Sequence, residues 1–190
     1  MIFIGLAGPS GAGKTTLANY LATYFGNEFE HIRLDDYLRD PAEFPRQGKF
    51  RNWEHPNNYK FDLLLSHLQK LREGREVLSR NFTWRPEELP YEFYLKPKKY
   101  ILIEGALALA DERLVSIFDR KIYLDVPVEV MLARRAKRMG KSFDPEYDRE
   151  VVVPEFERHG MIQKIHADHI VDGTKDPNTV ARTVRDLIAE

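Results

Sequence analysis

The chain contains no cysteine. Disulfides, thiolate zinc sites and cysteine nucleophiles are therefore excluded, and nothing argues for an oxidising compartment. It also lacks an excess of either charge. Lys and Arg number 29 against 30 Asp and Glu, a formal net charge of -1, which gives no electrostatic case for a nucleic-acid or anionic-membrane partner. A long hydrophobic run is missing as well. The apolar opening Met1 to Ala7 is broken by Gly5 and falls far short of the ~20 residues that a spanning helix needs. It has neither the basic leader nor the small-residue cleavage site of a secretory signal, so a cytoplasmic protein is the expectation. What is present suffices for a core. Of the 190 residues, 43% are hydrophobic and 31% charged, a balance that argues against whole-chain disorder and fits one domain over 1–190.

The pattern along the chain alternates between strand and helix. Ile2 to Leu6 reads as a short apolar strand, and Leu17, Leu21 and Phe25 mark a helix from about Lys14 to Phe25, ended by Gly26. A second strand is expected at His31 to Leu34. Residues 38–55, with Pro41, Pro45 and Gly48, read as a long functional loop. Phe61, Leu64, Leu65, Leu68 and Leu71 define a helix closed by Gly74. Within 76–99, Val77 to Trp84 and Tyr91 to Leu95 are candidates for a hairpin. Further strands are expected at Tyr100 to Ile103, Lys121 to Val126 and His169 to Val171. Helices are expected at Ala106 to Phe118, from Pro127 to Met139 and from Asn178 to Ala189. Residues 139–150 read as a charged lid loop, followed by a helix interrupted at Pro154. Such alternation predicts an α/β fold with a mostly parallel five-strand sheet flanked by helices. Ligands then sit beyond the carboxyl ends of the strands.

The strongest motif is Gly8-Pro9-Ser10-Gly11-Ala12-Gly13-Lys14-Thr15, followed by Thr16. It matches G-x-x-x-x-G-K-[ST] and lies between a predicted strand and a predicted helix, the context of a P-loop. Its glycines let backbone N–H groups approach phosphate oxygens, and the helix start adds partial positive charge. Lys14 would reach the β- and γ-phosphates of ATP, and the Thr15 hydroxyl would bind Mg²⁺. The chain has no Asn-Lys-x-Asp guanine-reading motif and no Leu-Ser-Gly-Gly-Gln signature, which separates it from GTPase switches and transporter ATPases.

Two acidic positions stand beside this loop. Asp35-Asp36 follows the second strand, where an acceptor would lie, and Asp35 could take the proton of an attacking hydroxyl; the competing reading is a helix cap. Glu104 follows the Tyr100 to Ile103 strand, where a second Mg²⁺-organising carboxylate belongs; it could also be a solvated strand end. Arg134-Arg135-Ala136-Lys137-Arg138 places Arg134 and Arg138 at i, i+4 on one helix face. Arginines there could clamp a phosphoryl group on lid closure, or simply complement the helix dipole. His166-Ala167-Asp168-His169 carries metal-type ligands at close spacing but leads straight into a strand.

In ordered sequence these pieces resemble the uridine kinase family, which includes the nicotinamide riboside kinases and lies near phosphoribulokinase. The matching stretches are Gly8 to Thr16, Leu34-Asp35-Asp36-Tyr37, Asn52-Trp53-Glu54-His55-Pro56 and Phe61-Asp62. They continue through Ile103 to Leu109, Arg134 to Arg138, and Ala167 to Ile170. The resemblance implies a P-loop NTPase fold with a lid and a small substrate-side insertion, and ATP-dependent phosphorylation of the primary 5′-hydroxyl of a ribonucleoside-like acceptor. By position it makes Asp35 the catalytic base, Glu104 a second Mg²⁺ contact mostly through water, Arg134 and Arg138 lid arginines, and Asp168 structural. Asp36, Trp53 and Glu54 fall on the acceptor side, Glu54 where the family uses Asp for ribose hydroxyls and Trp53 where it could stack on the base or anchor the loop. Departures from the family bear on the base. Phe82-Thr83-Trp84 stands where uridine kinases carry Tyr-Asp-Phe, and no His follows before Tyr100. Val171 to Lys175 is closer to nicotinamide riboside kinases. A small-alcohol kinase of another kind and a non-catalytic nucleotide switch are the competing readings, and an assembly of identical chains is compatible with all of them.

Overall fold

The structure is a computed structural model that describes residues 1–83 and 88–189. Strand β1 (Ile2–Ala7) leads through the P-loop into α1 (Lys14–Phe25), which Gly26 ends at φ 53°. Strand β2 (Phe29–Arg33) begins two residues before its predicted start, and Leu34–Tyr37 forms one 3₁₀ turn. The 38–55 segment is a loop containing a miniature hairpin of β3 (Arg46–Gln47) and β4 (Phe50–Arg51). Helix α2 (Phe61–Arg72) precedes the predicted hairpin, formed by β5 (Val77–Arg80) and β6 (Glu92–Leu95) in antiparallel register. Trp84, expected at its tip, lies outside the described residues. Strand β7 (Tyr100–Gly105), short helix α3 (Glu112–Ile117), β8 (Arg120–Asp125) and α4 (Val128–Met139) follow. A helical segment over 145–166, β9 (His169–Asp172) and a C-terminal helix (Pro177–Ala189) complete the chain.

The five long strands form one parallel sheet in the order β2-β7-β1-β8-β9. Side chains alternate between its faces, as a pleated strand requires. Phe3, Ile32, Ile101, Ile103 and Tyr123 bury against α2, α3 and the hairpin, whereas Ile4, Leu6, Leu102, Ile122 and Leu124 bury against α1, α4 and the C-terminal helix. The register aligns Ala7 with Gly105 and with Tyr123, and Arg33 with Glu104. The carboxyl ends of four strands thus meet at one edge, where the P-loop also starts.

Three expectations change. The helix predicted from Ala106 begins only at Glu112, because Asp111 caps it by accepting the Arg113 N–H at 2.9 Å. Residues 106–110 are instead a turn held by the fully buried Gln163. Its Oε1 accepts the Leu109 N–H and its Nε2 donates to the Ala106 carbonyl, both at 2.9 Å. Second, the 139–150 lid is mostly not a loop. Gly140–Ser142 is a single turn, Asp144 caps a new helical start and Pro145 opens it. Third, Pro154 does not interrupt the following helix. Wider π-type turns at Asp148–Val152 and Phe156–Gly160 flank it and accommodate its missing donor without a break. No described helix is long and apolar enough to cross a membrane.

Candidate active site

The P-loop geometry follows from its glycines. Gly13 caps α1 at φ 101° and ψ 12°, left-handed backbone that a side chain would strain. A Cβ on Gly8 would meet the Leu124 carbonyl oxygen at 2.4 Å, so β8 can approach the loop only at glycine. The Ala12 N–H turns back to the Pro9 carbonyl at 3.1 Å. Lys14 is buried, and its ammonium donates to the carbonyls of Gly8 at 2.8 Å and Pro9 at 3.1 Å. Thr15 and Thr16 stand exposed on the first turn of α1.

The Thr15 hydroxyl donates to Glu104 Oε1 at 2.9 Å, and the His31 imidazole lies 3.6 Å from the same oxygen. Glu104 is 6% exposed. Burial pushes its carboxyl up, but His31, Lys14 and Thr15 together outweigh burial and hold it below its ordinary value. Asp35, partly buried after β2, is shifted the other way. Burial raises its carboxyl and the nearby Glu104 charge raises it further, against the pull of Lys14 and Arg33. Burial lowers Lys14, with Glu104 and Asp35 opposing. Two neighbouring carboxylates thus differ in basicity, Glu104 held ionised and Asp35 made the better proton acceptor. The Tyr59 hydroxyl reaches Asp35 Oδ1 at 3.4 Å.

Asp36, expected beside the acceptor, is otherwise engaged. Its carboxylate pairs with Arg33 and accepts the Phe82 N–H at 2.9 Å, while the same guanidinium donates to the Phe82 carbonyl at 3.1 Å. It ties the end of β2 to the β5–β6 hairpin. Trp53 lies edge-on to Phe44, with ring centroids 5.0 Å apart, and to Phe82 at 6.5 Å. Its backbone N–H donates to the Tyr147 hydroxyl at 3.1 Å. The buried Asn52 shapes this loop by accepting the Glu54 N–H at 3.0 Å and, through its carbonyl, the Asn58 amide at 2.9 Å.

The basic helix α4 divides its arginines among three surfaces. Arg134 donates to the Gly11 carbonyl at 3.2 Å and the Gly173 carbonyl at 3.0 Å, clipping the P-loop to the turn after β9. Arg138 donates to Ser10 Oγ at 2.7 Å. Both meet the P-loop from the helix on which their spacing placed them. Between them Arg135 is only 5% exposed. It bonds Asp148 through Nη2 at 3.0 Å and through Nε at 3.2 Å, reaches Ser10 Oγ at 3.2 Å, and lies 3.6 Å from Glu54. Burial raises the Glu54 carboxyl and Arg135 pulls it down. Arg135, Asp148, Tyr59 and Tyr147 are site residues that the sequence reading missed. A signal for Arg135 existed, since it stands three residues before Arg138 and so shares its helix face. Asp168 is structural, accepting the Lys121 N–H at 2.8 Å and pairing with its ammonium at 3.0 Å.

Comparison with known proteins agrees with this arrangement. The family model of the phosphoribulokinase / uridine kinase family matches residues 3–175. A uridine kinase of Brevibacillus brevis is 36% identical over 150 residues, covering 75% of this chain and 70% of that protein. A uridine kinase of Vibrio atlanticus is 32% identical over 183 residues, covering 90% and 86%. Among solved structures, one described as a possible uridine kinase from Bacillus stearothermophilus superposes with a TM-score of 0.60 at 21% identity, over 90% of this chain and 88% of that one; this likeness speaks to the fold. With its P-loop, its acidic strand ends and its sheet order all in place, the chain belongs to the phosphoribulokinase / uridine kinase family.

Proposed function

We propose that this protein is an ATP-dependent nucleoside kinase that transfers the γ-phosphoryl group to the 5′-hydroxyl of a ribonucleoside, in the manner of the uridine kinases it resembles. The observation that carries this reading is the meeting of Lys14, Thr15, Glu104 and Asp35 at the carboxyl ends of β1, β7 and β2, with the Asn52 to Glu54 loop alongside. A switch needs no proton acceptor of raised basicity next to its phosphate loop, whereas a kinase does. Within the proposal, Lys14 exchanges its loop carbonyls for phosphate oxygens, and Gly8, Ser10, Gly11, Ala12, Gly13, Thr15 and Thr16 form the cradle. Asp35 takes the proton of the acceptor hydroxyl as that oxygen bonds to the γ-phosphorus and the bond to the departing ADP breaks. Arg138 and Arg134 approach the phosphates from α4.

The hydroxyl of Thr15 and the ionised carboxylate of Glu104 are hard oxygen donors side by side, the chemistry that fits Mg²⁺. When bound there, the ion neutralises phosphate charge during transfer. Trp53 and Glu54 are assigned to the base and the ribose, and the protein to the cytoplasm. The test is a panel of nucleosides, nicotinamide riboside included, with mass detection of the phosphorylated product. A 5′-monophosphate that forms only with ATP and Mg²⁺ is expected. Nucleotide binding with no phosphorylated product from any nucleoside would overturn the proposal.

A further inference from the structure

The mechanism leaves one group of titratable side chains, built around a buried carboxylate, unused. Glu155 and His159 lie at i, i+4 on the 145–166 segment and project to one side. His55 faces them from the acceptor loop, directly after Glu54. One ligand atom from each of the three lies within 4.8 Å of the other two. The Glu155 side chain is 1% exposed. Its Oε1 accepts from Arg158 at 3.0 Å, but Oε2 has no hydrogen-bond partner and neither has the buried His159 Nε2, 3.6 Å away. The rings of His55 and His159 have centroids 5.5 Å apart at 70°. Two unsatisfied polar atoms 3.6 Å apart, one on a buried carboxylate, are costly unless something joins them.

We propose that His55, Glu155 and His159 form a site for one divalent transition-metal ion of the zinc class. Two imidazoles and a carboxylate are a recurring zinc set, with a fourth position left for water. Bonds of about 2.0–2.2 Å in tetrahedral geometry separate ligand atoms by roughly 3.3 Å. The 3.6 Å between Glu155 Oε2 and His159 Nε2 is close to that, and small side-chain movements bring in His55. His55 Nδ1 accepts the Asn57 N–H at 3.1 Å. Ligation through Nε2 moves the ring proton to Nδ1, so this turn contact is exchanged for a metal bond. The ion would cross-link the acceptor loop to the 145–166 segment beside a small cavity of about 30 Å³ lined by Ser10, Glu54, Tyr59 and Glu155. It is separate from the Thr15–Glu104 pair, whose oxygen donors suit magnesium.

The test uses the full chain, stripped of metal with a chelator and kept in millimolar Mg²⁺, without nucleotide. Co²⁺ is titrated first as a spectroscopic probe, then Zn²⁺. One equivalent per chain is expected, with Co²⁺ giving the intense visible bands of a four-coordinate ion. Because losing a supporting outer contact already costs about 10–100-fold in metal affinity, His159→Ala and Glu155→Gln should each weaken binding about 100-fold or more. Glu104→Gln should leave it unchanged. Zn²⁺ should raise the melting temperature of the parent chain and not that of His159→Ala. If Glu155→Gln fails to fold, His159→Ala and His55→Ala decide the matter. No stoichiometric binding, binding that survives these substitutions, or binding abolished by Glu104→Gln would each overturn the proposal.

Discussion

Replacing Arg135 by Met should be the most destabilising single change in the site. The guanidinium is 6% exposed and its partner carboxylate, on Asp148, 5%. It donates to Asp148 through two nitrogens and sits 3.6 Å from Glu54. Methionine fills similar volume but leaves Asp148 buried without a cation. Breaking a buried pair from one side costs about 3–5 kcal/mol. At about 2–4 °C per kcal/mol for a chain of this size, the melting temperature should fall by about 6–20 °C. Most of that loss is the stranded charge rather than the pair itself, so Arg135→Met with Asp148→Leu should recover much of it. Urea and thermal unfolding of the parent, both single variants and the double variant close the cycle. A cost for Arg135→Met below about 1 kcal/mol, the value of a solvated surface pair, would refute the reasoning. So would a double variant as unstable as the sum of the singles.

The other predictions concern chemistry. Asp35→Asn should lower kcat by about 10²–10⁴-fold, the usual contribution of a general base, with ATP affinity largely kept. The same variant should melt higher than the parent at neutral pH. The folded-state pKa of Asp35 is raised, so its contribution to stability is greatest below the unfolded pKa and is lost as pH rises through the folded value, and removing the charge removes that penalty; an unchanged or lower melting temperature would contradict this. The acid limb of kcat/KM should titrate above the ordinary aspartate value of about 3.9 and be absent from the residual activity of Asp35→Asn; a limb at or below that value would assign the base elsewhere. Lys14→Ala should reduce kcat by at least about 10²-fold. Trp53→Ala should instead raise the acceptor KM by about 5- to 150-fold, the equivalent of one stacked base at about 1–3 kcal/mol, and an unchanged KM would leave Trp53 as a loop anchor on Phe44 and Phe82.

What could be read in the sequence was what lies close together along it. The P-loop is eight contiguous residues whose mechanism fixes their types, and the three central strands carry apolar runs at 2–7, 100–103 and 122–124 because both faces of a parallel sheet are buried there. The failures have a common cause in contacts made across distance. Asp111 marks where the helix starts, but the group that holds the Ala106 to Ala110 turn is the side chain of Gln163, 57 residues beyond Ala106. The Asp35-Asp36 pair looks symmetric in sequence, yet Arg33 and the Phe82 N–H claim the second carboxylate and leave the first beside Lys14. Helical spacing set Arg134 and Arg138 on one face and Arg135 beside Arg138, but the partner that singles Arg135 out, Asp148, comes from the next helical segment. The His166 to His169 cluster was legible and its carboxylate, Asp168, is structural, whereas His55, Glu155 and His159 are brought together only by the fold.

The acceptor loop shows how such distant contacts set geometry. Asn52 organises its turns from within, but the loop's position relative to the P-loop depends on tethers to neighbouring helices, among them Gln47 to the Glu150 carbonyl, Lys49 to Glu146, and two close to the acceptor end. The Tyr147 hydroxyl accepts the Trp53 N–H, and Arg135 faces Glu54 while also reaching Ser10 at the tip of the P-loop. Arg135 is thereby the one side chain among the described contacts that touches the phosphate cradle, the acceptor loop and the 145–166 segment at once. The extra methylene of Glu54, relative to the Asp expected at this place, carries its carboxylate toward that guanidinium. A ribose held by Glu54 would thus be positioned through a buried cation that also sets the P-loop hydroxyl. Acceptor and phosphate geometry would then be adjusted together, which is the coupling that in-line transfer demands.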